Sequence, residues 1–313
     1  MARTVKLNSG YDFPTIGLGT WQAPAGEVGV AIKEAIDIGY RHFDCAMFYR
    51  NEAEVGNAIR DKIADGTVTR EEVFVTSKLW NNFHRPELVV PTCKKTLQDL
   101  GLDYLDMYLI HWPVAFKEGD DLWPKDASGK LQTTYVDFVS TWKAMEECVS
   151  LGLARSIGVS NFNTQQLKRV LDSCTIKPAT NQVECHPYLT QKKLLKFCTS
   201  KGIVITAYSP LGAPNADPPV PGAPSVLQDH RLKQLANKYN RTVAQVVLRY
   251  LVQIGVVPIP KSTNPSRLRE NFSIYDFELS PTDITFIDSF NCNVRAYPFV
   301  DAKDDVNYPF NME

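Results

Sequence analysis

The 313-residue chain contains no apolar run long enough to cross a bilayer. Its first residues, Met1 to Lys6, lack the apolar stretch of a signal peptide, so a cytoplasmic location is expected rather than secretion. Lysine and arginine number 34 against 35 aspartates and glutamates, which leaves a formal charge of −1. With no basic cluster besides, neither nucleic acid nor an acidic membrane surface is an expected partner. The seven cysteines are scattered and include no C-x-x-C, which suits reduced thiols better than a disulfide framework. Five histidines include no H-E-x-x-H pair, and Cys185 and His186 are adjacent and would diverge, so no metal is expected. Internal repeats, linkers and low-complexity tracts are also missing, so residues 1–313 are expected to form a single domain.

What the chain does have is alternation. Short apolar runs at 15–20, 41–44, 73–78, 105–111, 156–160, 179–184, 203–209 and 256–259 read as eight strands. Amphipathic stretches separate them. Phe138, Trp142, Met145 and Val149 share one face of a helix ended by Gly152. Pro86 opens another that Gly101 closes, and a third runs from a Thr242 cap to Gly255. Eight βα units close most readily as a parallel (β/α)8 barrel, because an open sheet of that width leaves two long edges. A hairpin over 4–14 is expected to cap one end. Three segments exceed plain connectors: 113–134, 210–228 and the tail 291–313. The first two follow strands and so rise from the barrel's carboxyl face, where they are expected to form a lid over the site.

Four polar residues fall at or just after three consecutive strand ends: Asp44, Tyr49, Lys78 and His111. A tyrosine has an ordinary pKa near 10, so an ammonium within reach is needed to favour its phenolate. Lys78 can supply that cation, Asp44 can hold it charged, and His111 is placed to bond a carbonyl oxygen. Taken singly, each has a duller reading: an ion pair in a barrel mouth, a surface phenol, a satisfied core imidazole. Four together are harder to dismiss. The pair Gly17 and Gly19 imitates half of a dinucleotide-binding G-x-G-x-x-G, but Gln22 stands where the third glycine belongs, so a Rossmann reading is rejected.

Residues 39–56 (GYRHFDCAMFYRNEAEVG), 145–162 (MEECVSLGLARSIGVSNF) and 259–271 (IPKSTNPSRLREN) resemble, in that order, three signatures of the aldo-keto reductase superfamily. The likeness is to animal aldose and aldehyde reductase-like members, those of insects among them, and runs from about residue 4 into the tail. It implies an NADP-dependent enzyme of the alcohol dehydrogenase (NADP+) or aldehyde reductase type, acting as a monomer. Tyr49 would be the general acid, Lys78 and Asp44 its assistants, and His111 the residue orienting a small-molecule carbonyl substrate. Tyr208 would stack on the nicotinamide, and Ser160, Asn161 and Gln182 would bind its carboxamide. Thr20, Trp21, Asp44, Ser209 and Leu211 would also line the NADPH site. Lys261, Ser262, Thr263, Arg267, Glu270 and Asn271 would take the adenosine 2′-phosphate end, favouring NADPH over NADH. A relative of this kind serving as a binding or structural protein, of the channel-subunit or crystallin type, is the alternative.

Four of the five tryptophans stand at strand ends or in the first long loop, and only Trp142 reads as helix core. Trp21, Phe48, Trp80, Trp112, Phe116, Trp123 and Tyr297, with His111, are expected to make an apolar pocket for aldehydes, ketones or bulkier carbonyls such as steroids. Asn81 and Asn82 after Trp80, and Arg295 in the tail, are more polar than the resemblance leads one to expect and are read as affecting substrate choice.

Overall fold

The computed structural model describes residues 3–214 and 225–310. A hairpin of β1 (Thr4–Lys6) and β2 (Asp12–Pro14) comes first, followed by β3 (Leu18–Gly19), β4 (His42–Asp44), β5 (Phe74–Leu79) and β6 (Leu105–Ile110). A short antiparallel pair, β7 (Ala115–Phe116) and β8 (Thr133–Thr134), follows within the first long loop. β9 (Ala154–Ser160), β10 (Thr180–Glu184), β11 (Val204–Tyr208) and β12 (Val256–Pro258) complete the set. Between barrel strands lie α1 (Val28–Ile38), α2 (Glu52–Ala64), α3 (Pro86–Leu100), α4 (Phe138–Ser150), α5 (Thr164–Ser173), α6 (Lys192–Ser200), α7 (His230–Tyr239) and α8 (Val243–Gln253). α9 (Pro265–Phe272) and α10 (Pro281–Asp288) follow β12.

All neighbouring barrel strands pair in parallel, in the order β3, β4, β5, β6, β9, β10, β11, β12. β5 and β6 are buried at every position, as sheets covered on both faces require. The circle closes through a parallel bridge between Gly19 and Lys261, and through the Gly17 and Gly19 amides, which donate to the carbonyls of Pro258 and Pro260 at 3.0 and 3.1 Å. The two glycines are therefore explained by packing. A Cβ on Gly17 would come within 2.5 Å of His42, and one on Gly19 within 2.9 Å of the Ile259 carbonyl. The first strand spans only Leu18–Gly19, shorter than the expected 15–20, and Pro258 and Pro260, lacking an N–H, return no bond to it.

The helices end and begin where their residues dictate. Pro86 opens α3, and Gly101 leaves it at φ 64°. Asn163 with Gln166, and Thr242 with Gln245, form reciprocal capping boxes at α5 and α8. The hairpin packs Leu7 and Phe13 against Phe74, Met107, Leu109, Ala179 and Val257, plugging the barrel where its strands begin. No helix among the described residues is long and apolar enough to cross a membrane.

At the opposite end the loop 113–134 is tied down rather than loose. Trp80 Nε1 donates to the Leu122 carbonyl at 2.7 Å, and Asn82 Nδ2 donates to those of Lys117 and Asp121 at 2.8 and 2.9 Å. Asn82 is 1% exposed, so its polarity serves the loop's backbone. Arg295 likewise spreads its guanidinium over the Phe310 ring, 3.9 Å from its centroid. Most of the expected lid 210–228 falls on residues 215–224, which lie outside those described.

Candidate active site

β4 and β5 are adjacent, and the last turns of both point into the barrel mouth. Lys78, fully buried, donates to Asp44 Oδ1 at 2.5 Å, to the Cys45 carbonyl at 2.7 Å and to the Tyr49 hydroxyl at 3.3 Å. Burial alone would pull this ammonium down; the Asp44 carboxylate and Tyr49 outweigh it and hold it above its ordinary value. Tyr49 sits on a single 3-10 turn, Met47–Tyr49, which a left-handed Arg50 at φ 56° terminates before α2. Its phenol moves opposite to the sequence expectation. Burial pushes it up to about 12, and the Lys78 charge only moderates the rise. Tyr49 is therefore a fully protonated phenol at neutral pH, next to a cation that would stabilise its conjugate base.

His111 follows β6 with its ring edge-on to Tyr49, 5.9 Å between centroids, and edge-on to Trp80 at 5.0 Å. Burial first, and then the charge on Lys78, hold it well below the usual imidazole range, so it is neutral. Its backbone carbonyl accepts from Asn161 Nδ2 at 3.0 Å. Asn161, at φ 64°, also accepts from the Tyr208 hydroxyl at 2.9 Å, and Ser160 Oγ donates to the Gln182 carbonyl at 2.8 Å. Gln182 Nε2 reaches across the barrel to Asp44 Oδ2 at 2.7 Å. Asp44 thus receives a donor on each oxygen, and Thr20 Oγ1 bonds its carbonyl at 2.9 Å.

These side chains surround a cavity of about 650 Å³. Of the expected site residues it brings together Thr20, Trp21, Asp44, Phe48, Tyr49, Trp80, His111, Trp112, Trp123, Ser160, Asn161, Gln182, Tyr208, Ser209, Leu211, Lys261 and Tyr297. Phe48 stacks on Trp80 at 3.9 Å, and Trp21 meets Tyr297 edge-on at 5.1 Å. Lys78 lies beneath the floor. Phe116 stands behind the wall, edge-on to Trp80 at 5.8 Å. Ser262, Thr263, Arg267, Glu270 and Asn271 lie beyond the cavity: Ser262 and Thr263 precede α9, Arg267 is in its first turn, where Asn264 caps the helix through the Arg267 amide at 3.0 Å, and Glu270 and Asn271 are in its last. Ser262 is buried and Arg267 exposed, while Glu270 accepts from Thr242 Oγ1 at 2.8 Å.

Sequence reasoning passed over several residues of this region. Gln22, left-handed at φ 54°, lines the cavity beside Trp21, as do Pro210, Pro298, Val300 and Asp301. Glu184 ends β10 as Asp44 ends β4, and that parallel was the available signal. Glu52, 4% exposed in the first turn of α2, accepts from Ser77 Oγ at 2.5 Å; burial pushes its carboxyl up to about 7.

Residues 15–291 match the model of the Aldo/keto reductase family. The chain is 47% identical to Aldo-keto reductase family 1 member A1 of Gallus gallus, over 98% of this chain and 97% of that protein. It is 50% identical to Aldo-keto reductase family 1 member C15 of Rattus norvegicus, over 100% and 98%. Prostaglandin F synthase 1 of Bos taurus is 49% identical, over 100% and 98%. The solved aldose reductase of Schistosoma japonicum superposes with a TM-score of 0.94 at 43% identity, covering 99% of each chain.

Proposed function

The chain belongs to the aldo/keto reductase family of oxidoreductases, and on that premise we propose that it reduces aldehydes and ketones to alcohols with NADPH, using Tyr49 as the general acid. One observation carries the reading: a fully buried ammonium, Lys78, held between the Asp44 carboxylate and the Tyr49 hydroxyl at the mouth of the barrel. We take residues 1–313 as one catalytic domain, working as a monomer in the cytoplasm, of the alcohol dehydrogenase (NADP+) or aldehyde reductase type.

The residues fit the cofactor. Tyr208 offers a partly exposed ring, and Ser160, Asn161 and Gln182 offer amide and hydroxyl groups, all on one side of the cavity. Lys261 lines the same cavity and leads to α9, whose capped start and exposed Arg267 suit a phosphate. When bound, NADPH supplies hydride to the carbonyl carbon. The neutral His111 orients the carbonyl oxygen, and Tyr49 gives it a proton as negative charge develops there. An alkoxide is more basic than a phenolate, so that proton moves downhill even from a phenol raised to about 12. Lys78 stabilises the resulting tyrosinate, and Asp44 keeps Lys78 charged in a buried setting.

The walls point to the substrate class. Trp21, Phe48, Trp80, Trp112, Trp123, Tyr297 and Phe299 favour an aromatic or otherwise bulky apolar carbonyl, steroids included, over a small polyol aldehyde. The test is consumption of NADPH, and separately NADH, with an aromatic aldehyde. Wild type should turn over with NADPH, and Tyr49→Phe should lose about 10²–10⁴-fold in kcat while still binding the cofactor. Equal activity in the variant would remove Tyr49 from the role. Tight NADPH binding without turnover in wild type would favour a binding protein.

A further inference from the structure

We propose that Glu184 is a positioning residue whose carboxylate latches the tail across the barrel mouth and so holds Tyr297 as a wall of the substrate pocket. The proposal rests on the reading of this cavity as that of a carbonyl reductase. Glu184 lies two residues after Gln182 on β10, so both side chains leave the strand on one face, while Val183 between them joins the apolar layer against the helices. Gln182 turns to Asp44. Glu184 turns to the tail.

The Ala296 amide donates to Glu184 Oε1 at 2.6 Å, and the Tyr297 amide to Oε2 at 3.0 Å, so two successive tail residues occupy the two oxygens. His186 Nε2 lies 2.9 Å from Oε1. The carboxylate belongs to a residue only 1% exposed, and a buried charge is costly unless hydrogen-bonded. Two of its partners are backbone amides of the tail. Undocking the tail would therefore strip donors from a buried anion, and such charge-assisted bonds are about twice as strong as neutral ones. This gives the tail one preferred resting position.

Both latched residues, Ala296 and Tyr297, line the cavity. In this position Tyr297 meets Trp21 edge-on and lies 6.2 Å from the Tyr208 ring. Left-handed residues at Asn293 (φ 55°) and Phe299 (φ 50°) turn the chain on either side of the latch. Beyond them the tail is fastened independently. The Cys292 amide donates to the Tyr188 carbonyl at 3.1 Å, and Asn163 and Gln166 of the α5 cap hold the carbonyls of Pro309 and Asn307 at 2.9 and 2.8 Å. Loss of Glu184 should thus free the wall without releasing the whole tail.

Two readouts test this on the full chain. By hydrogen–deuterium exchange without cofactor, Glu184→Gln should speed the Ala296 and Tyr297 amides by at least about tenfold, the equivalent of ~1.4 kcal/mol. In kinetics, the variant should raise KM for an aromatic aldehyde by about tenfold, the loss of one good hydrogen bond. Its kcat, and its KM for glyceraldehyde, which is too small to need the wall, should stay within about twofold of wild type. Glu184→Asp, which keeps the charge, should recover part of both effects. Tyr297→Ala should reproduce the KM rise while the Ala296 amide stays slow. Unchanged exchange in Glu184→Gln, or equal losses on both aldehydes, would overturn the latch. Should Glu184→Gln fail to fold, Ala296→Pro removes one donor without touching β10, and the remaining Tyr297 amide and the KM split between the two aldehydes are read instead. If wild type reduces no carbonyl, the reductase reading falls, and the exchange rates alone decide whether the latch exists.

Discussion

Gln182 Nε2 donates to Asp44 Oδ2 at 2.7 Å while Lys78 occupies Oδ1, so one buried carboxylate is shared between β10 and β5. The residue proposed to bind the nicotinamide carboxamide is therefore bonded to the acid that keeps Lys78 charged. Gln182→Met leaves Asp44 Oδ2 without this donor. A hydrogen bond to a charged group is worth about 1.5–3 kcal/mol, so the free energy of denaturant unfolding should fall by about that amount. Turnover should drop along with NADPH affinity. Unchanged stability would mean that the bond contributes nothing.

Arg267 stands exposed in the first turn of α9, beyond the cavity. Arg267→Ala should weaken NADPH binding by about 1–3 kcal/mol, the scale of a charged hydrogen bond, and NADH binding far less. Fluorescence titration with both cofactors measures the difference. Equal weakening of the two would place Arg267 away from the 2′-phosphate, and no change in NADPH affinity would remove it from the site.

Asn82 holds two carbonyls of the first long loop, and Trp123 of that loop is a cavity wall. Asn82→Ala removes both bonds at about 0.5–1.5 kcal/mol each. Limited proteolysis should then cut near Lys117 more readily, and KM for an aromatic aldehyde should rise with kcat little changed. A cleavage pattern identical to wild type would show that the loop is held by other contacts.

Glu52 gives the fold a pH dependence of its own. Burial raises its carboxyl from the ordinary 4.5 to about 7, although Ser77 donates to it. Between those values the folded chain keeps a proton that the unfolded chain releases, so stability from this residue falls as pH rises through that window. At about 1.4 kcal/mol per unit, the loss by pH 8 is on the order of 3 kcal/mol. Glu52→Gln cannot ionise. Its melting temperature should therefore decline less than wild type's between pH 5 and pH 8, and parallel profiles would contradict the assignment.

Much of this was legible in the chain. The strands were legible as short segments dense in apolar residues and bounded by turns, because a strand covered on both faces, as β5 and β6 are, needs apolar residues at nearly every position. Asp44, Tyr49, Lys78 and His111 were legible because each sits at a strand end or just beyond, and parallel strands bring their ends to one place. Three relationships were not. Gln182 and Asp44 are 138 residues apart and meet only across the closed barrel. The role of Asn82 depends on where a distant loop turns its carbonyls. The raised phenol of Tyr49 reflects a contest between desolvation and one cation, and its outcome is set by depth of burial, which spacing does not encode.

The glycine seam bears on how the chain reaches this state during synthesis. β3 is the first of the barrel strands in the chain, and its outer edge has no partner until the segment around Val256–Lys261 is made, because that edge is covered by Pro258, Pro260 and Lys261. Until that segment leaves the ribosome, the growing sheet carries two unpaired edges, one beside Gly17 and Gly19 and one on whichever strand arrived last. Unpaired edges recruit other chains. A chain that stops short of Val256 therefore leaves both edges of the sheet open, and the two glycines let the last segment approach β3 without displacing a side chain.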